Sequence, residues 1–161
     1  ANLGEMTKAG FPVPQGFIVS SAAYEHFLEE NKLKRNIKAM LAGLDIANTV
    51  KLTRVSKEIR SLINHSAIPD KLATMIMKAY LALGRNVLVA VRSSATAEDL
   101  PGASFAGQQE TFLNVSGEAN VIDKVRDAWS SLFTPRAIFY REQKKFNHFK
   151  RKIILFSFKS W

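Results

Sequence analysis

Apolar residues recur every three or four positions through much of the first half of this chain. Leu33, Ile37, Met40, Leu41 and Leu44 form one such set, and Leu52, Val55, Ile59, Leu62 and Ile63 form a second. A third follows Pro69, with Leu72, Met75, Ile76, Ala79, Tyr80 and Leu83, and Gly84 ends it as glycine ends many helices. Such spacing gathers each set on one helical face, so the pattern predicts a layer of amphipathic helices. Two more precede this layer. Ala1 to Gly10 reads as a short helix with Leu3 and Met6 on one side, and SAAYEHFLEENK as another, capped by Ser20 or Ser21.

Strand patterns are fewer. Pro12 and Pro14 exclude helix before a short strand at Phe17–Val19. VLVAV, Val87 to Val91, is a continuous apolar run that predicts a strand buried on both faces, and TFLNV an alternating one. After Gly117, EANVIDKVRDAWSSLF predicts a helix with Val121, Val125, Ala128, Trp129 and Leu132 inward. Thr134 caps a further helix with Pro135 at its first position, running through RAIFYREQKKF, and IILFSF closes the chain as a strand. The fold class is α/β (α+β), helix-rich with few strands.

Composition narrows the chemistry. At 161 residues the chain is about one domain long, and 47% hydrophobic residues are enough for a real core. The absence of cysteine excludes disulfides, thiolate catalysis and cysteine zinc sites, and fits a reducing cytoplasm. No signal peptide is visible, and the longest apolar runs are too short for a bilayer, so no membrane partner is expected. The net charge of +9 is uneven. Residues 141–161 carry seven of the 23 Lys/Arg and one of the 14 acids, which puts +6 in the tail and leaves +3 for the rest. A nucleic-acid-binding module driven by that tail is one reading. It lacks basic-aromatic interleaving, a zinc pattern or a helix-turn-helix signature, and is disfavoured.

The stretch VRSSATAEDLPGASFAGQQETFLNV, Val91 to Val115, stands apart. A loop this long in a compact domain is usually functional or disordered. Arg92 leaves a buried strand with forked donors suited to phosphate or carboxylate, while Ser93, Ser94 and Thr111 add hydroxyls. Its glycines permit close backbone approach to an anion. Together these donors suit a polyphosphate, although the Walker Gly-Lys-Ser/Thr is lacking. The plain alternative is a surface hairpin in which Arg92 pairs with Glu98 or Asp99. His26, His65 and His148 show no partner spacing for a metal or a nucleophile–base pair, and read as solvated or packed. Glu98 and Asp99 read as solvated acids.

RSSATAEDLPGASFAGQQETFLNV resembles the signature of the N-terminal nucleotide-binding domain of the phosphoenolpyruvate synthase and pyruvate phosphate dikinase family. ANLGEMTKAGFPVPQGF, SAAYEHFL and WSSLFTPRAIFYR resemble the same family in the same order. The likeness covers residues 1–149; residues 150–161 form a basic and apolar tail that departs from it. Rifampicin phosphotransferase shares the domain and nearly the same loop, and remains the alternative. The resemblance implies the N-terminal portion of an ATP-grasp nucleotide-binding domain that uses ATP and Mg2+. In this family a phosphoryl group passes to a histidine on a swivelling domain and then to pyruvate.

Matched residue by residue, the resemblance gives Arg92 a contact with the ATP phosphates, Gly107 a close backbone approach, and Thr111 a hydroxyl or backbone contact. Ser93, Gln108 and Gln109 are second-rank candidates. Neither a catalytic residue nor a metal ligand is expected in this chain. The family's Gly-Gly-Lys would fall before Ala1, Lys8 is misplaced to replace it, and the magnesium-holding acids would lie beyond Trp161. The expected partners are ATP, the rest of the ATP-grasp domain, and the phosphohistidine and pyruvate domains. The chain therefore reads as a truncated piece of a dikinase, with weak nucleotide binding at best and no turnover by itself. A third reading is a non-catalytic piece that pairs through IILFSF, because the edge and apolar face of a terminal strand need cover.

Overall fold

A computed structural model describes Lys8, residues 15–95 and 110–149, and residues 153–159; residues 94–95 and 153–159 are described by their backbone. Of the predicted first helix only Lys8, which is helical, falls among the described residues. The elements run β1 (Gly16–Val19), α1 (Ser21–Glu30), α2 (Leu33–Leu41), α3 (Thr49–Asn64), α4 (Asp70–Leu83), β2 (Val89–Ala95), β3 (Thr111–Val115), α5 (Glu118–Ser130), α6 (Pro135–Gln143) and β4 (Ile153–Lys159). A single 3-10 turn, Ser131–Phe133, joins α5 to α6. The architecture is helix-rich α+β, with all strand pairs antiparallel.

The helix starts follow from the capping chemistry. Ser20 Oγ accepts from the Ala23 amide, Asn48 Oδ1 from Lys51 and Thr134 Oγ1 from Ala137, each satisfying a first-turn donor that the helix leaves free. Pro135 stands at the first position of α6. That helix ends at Gln143 rather than running to Phe146, because Lys145 turns into the left-handed region at φ 54°. One inward assignment and two helix assignments are also corrected. Met75 is 67% exposed, lying off the stripe that buries Leu72, Ile76 and Tyr80. Leu44 falls after α2 ends. Leu132 is only partly buried while Phe133 is fully buried, because the chain tightens from α to 3-10 after Ser130 and rotates the next side chains.

α5 is the hub of the core. It packs on α3 and α4 on one side and on β2 and β3 on the other. Its Trp129 is fully buried and stacks on Phe27 of α1, with centroids 4.7 Å apart, while Tyr24 tilts against it at 5.6 Å. Such aromatic contacts contribute about 0.5–1.5 kcal/mol each beyond the area they bury. The entry to β2 is tied down by Tyr80, whose hydroxyl donates to Val87 O at 2.8 Å and accepts from Gly117 N at 2.9 Å.

The sheet order is β1-β4-β2-β3. The strand at IILFSF is therefore internal, paired with β1 through Gly16↔Phe158 to Val19↔Leu155 and with β2 through Val89↔Lys159 to Ala95↔Ile153. The uncovered edge expected there is absent, since β1 and β2 occupy both of its edges. β2 starts at Val89 rather than Val87 and extends to Ala95, past Arg92. β3 does not alternate throughout. Pairing shifts between Val89↔Val115 and Val91↔Phe112, and Asn114 takes φ 56°. This bulge puts Phe112 and Val115, three positions apart, on the covered side and leaves Leu113 exposed.

Candidate functional site

β2 and β3 flank residues 96–109, so the two strands fix where that segment leaves and rejoins the sheet. Val89, Val91 and Ser93 are buried toward the helices, which by strand alternation sets Arg92 on the opposite face. Arg92 is exposed, and its direct cross-strand partner is Thr111, also exposed. Residues directly opposite in an antiparallel pair share a face, with Cβ atoms about 4.5–5.5 Å apart. The register continues across the sheet, placing positions 18 and 156 in line with 92 and 111. A guanidinium and a hydroxyl thus stand side by side on the face that the described helices leave open, at opposite ends of the intervening segment. An anion there would meet forked charged donors from one strand and a neutral donor from the next.

Arg92 and Thr111 are brought together, whereas Ser93 is not with them. It is 3% exposed on the helix side, and its amide donates to Glu110 O at 3.3 Å, which closes the ladder where β3 begins. Gly107, Gln108 and Gln109 lie outside the described residues, as do Glu98 and Asp99 with the hairpin pairing considered for Arg92.

One contact at this end of the sheet escaped sequence reasoning. Arg60, on α3, donates from Nε to Ser130 Oγ at 3.2 Å and from Nη2 to Glu110 Oε1 at 3.4 Å. The two partners lie 70 and 50 residues away in sequence, and no spacing or composition signal marks the trio. An open groove of about 470 Å³ along α3 is bordered by Thr53, Lys57, Arg60 and His65, and includes neither Arg92 nor Thr111.

The histidines sit apart from the open face. His26 is exposed. His65, at the end of α3, donates from Nδ1 to Ser61 O at 2.7 Å. His148 is 12% exposed; its Nδ1 accepts from Arg141 Nε at 2.9 Å, so its Nε2–H donates to Glu142 Oε1 at 2.6 Å. Arg141 is buried, donates to Leu132 O, and lies over the Phe133 ring at 5.2 Å. These bonds fix the end of α6. Among the described residues no three His, Asp or Glu side chains gather to hold a metal ion. None of the described helices is long and apolar enough to cross a membrane.

Arg92 and Thr111 thus offer a charged fork and a hydroxyl, donors of the kind that serve in phosphate-binding domains. Residues 1–156 match the family described as "Pyruvate phosphate dikinase, AMP/ATP-binding domain", and the chain belongs to that family. Over 93% of its length it is 54% identical to a protein of Methanocaldococcus jannaschii and 51% identical to one of Methanothermobacter thermautotrophicus, each named "Probable phosphoenolpyruvate synthase". It is 42% identical, again over 93% of its length, to the "Phosphoenolpyruvate synthase" of Pyrococcus furiosus. The chain spans 13%, 23% and 23% of these three relatives.

Proposed function

We propose that this chain forms one wall of the ATP site of a phosphoenolpyruvate synthase, as the N-terminal portion of an ATP-grasp domain. The observation that carries the reading is the pairing of Arg92 with Thr111 on the open sheet face, where residues 96–109 leave and return. Arg92 supplies the charge for the phosphates and Thr111 a hydroxyl or amide, Gly107 permits close backbone approach, and Gln108 and Gln109 are secondary contacts. Ser93 serves from the covered side, holding the ladder through its amide. Phosphoryl transfer needs positioning and charge neutralisation from such a wall rather than covalent chemistry. In the whole protein, a histidine of a separate domain takes the phosphoryl group and pyruvate receives it. Mg2+ accompanies the ATP, and its protein ligands are assigned to acids outside residues 1–161, as the family resemblance implies. The names of the relatives favour the synthase over the rifampicin phosphotransferase reading.

The test is a calorimetric titration of the chain with Mg·ATP beside Arg92→Ala. A hydrogen bond to a charged group contributes about 1.5–3 kcal/mol. Saturable binding that the variant weakens about ten- to a hundredfold supports the reading. Equal affinity in the two proteins would show that Arg92 is not a phosphate ligand. An absence of saturable binding by the parent would rule out a wall that binds ATP by itself.

A further inference from the structure

We infer that Arg60 is a positioning residue for this phosphate wall, acting through Glu110, and the inference rests on the ATP-site reading. Its guanidinium joins three elements at one point. Nε is held by Ser130 Oγ at the buried end of α5, and Nη2 reaches Glu110 Oε1 just before β3. Glu110 is well placed to transmit that hold. Its carbonyl accepts the Ser93 amide at 3.3 Å, and the next residue, Thr111, pairs with Arg92. The rigid helical layer therefore sets the position at which residues 96–109 rejoin the sheet, beside the two groups assigned to the phosphates.

A purely structural role accounts for this contact poorly. The Arg60 and Glu110 side chains are 33% and 38% exposed, and half-exposed ion pairs add about 0–1 kcal/mol to stability. Mutual alignment of donors is a different quantity, because a small misplacement of a binding group can cost far more in affinity than in folding. Lysine cannot replace the arginine. A single ammonium lacks the fork that reaches Ser130 and Glu110 at once.

The experiment compares the parent chain with Arg60→Gln, Glu110→Gln and the double variant, using Arg54→Gln as control. Arg54 lies on the same helix in a surface pair with Glu58 at 3.8 Å. Each single variant is expected to weaken Mg·ATP binding about three- to tenfold, the double variant no more than either, and the control not at all. Thermal midpoints should stay close to the parent's. The second measurement needs no ATP: amide exchange at Ser93 is expected to quicken about three- to tenfold in Arg60→Gln, while exchange at Gly117, held by Tyr80, stays fixed. An unchanged Ser93 amide would overturn the positioning role whether or not the chain binds ATP. A quickened amide with unchanged ATP affinity would also overturn it, showing that the tether does not serve the site. A parent that fails to bind ATP while Ser93 still responds would overturn binding by this wall alone and leave the mechanical tether.

Discussion

Replacing Tyr24 by phenylalanine should make the protein more stable, and the effect should grow in alkaline solution. The Tyr24 ring is 1% exposed against Trp129, and its hydroxyl finds no hydrogen-bond partner among the described residues. An unsatisfied buried polar group costs about 1–3 kcal/mol, while the substitution removes one oxygen and leaves the ring packing intact. A gain of about 1 kcal/mol at neutral pH is expected. Burial also holds the phenol well above its ordinary value of 10.0, with the Arg141 charge opposing in part. The folded state then keeps a proton that the unfolded chain releases. Stability from this group is full below pH 10.0 and falls as pH rises toward the raised folded value. One unit above the ordinary value the parent should have lost about 1.4 kcal/mol that Tyr24→Phe does not lose. Urea unfolding followed by circular dichroism across that pH range measures both effects. A variant destabilised by more than about 1 kcal/mol at neutral pH would show that the hydroxyl has a partner after all. An alkaline decline equal to the parent's would refute the titration argument.

Two further substitutions test the frame that carries the site. Ser56→Ala removes the buried donor to Phe133 O at 2.6 Å and should cost about 1–2 kcal/mol in urea unfolding, since that carbonyl loses its only side-chain donor among the described residues. Gly84→Ala should cost about 2 kcal/mol by the same assay. Gly84 has φ 133° and ψ 161°, a region held almost only by glycine, and a Cβ there would come within 3.0 Å of Val87 Cγ1.

The helical layer was legible because its information is local. Periodicity located α3 and α4, and the hydroxyls of Ser20 and Thr134 marked helix starts that the structure bears out. What stayed hidden depends on pairing between distant segments. Nothing in IILFSF says that it lies between β1 and β2, and nothing in TFLNV forces Asn114 into the left-handed conformation that breaks its alternation. The site was read to the same depth. Arg92 and Thr111 are candidates by their donors and by the resemblance, but their placement opposite one another required the register of β2 and β3. Strand alternation alone already separates Ser93 from Arg92. The Arg60–Glu110 contact required the packing of α3 against α5, which no local pattern encodes.

The internal place of β4 has a consequence for how the molecule comes into being. Of the described strands β1 is synthesised first, yet its described partner begins at position 153, and Gly16 sits opposite Phe158, 142 residues later. The helices and the β2–β3 hairpin can form as they leave the ribosome, whereas β1 must wait for β4, its partner among the described strands. Contacts of such long separation close slowly, because the loop entropy comes due before the hydrogen bonds form. Within residues 16–159 the face that carries Arg92 should accordingly take shape after the helical layer, which acts as the template on which it closes.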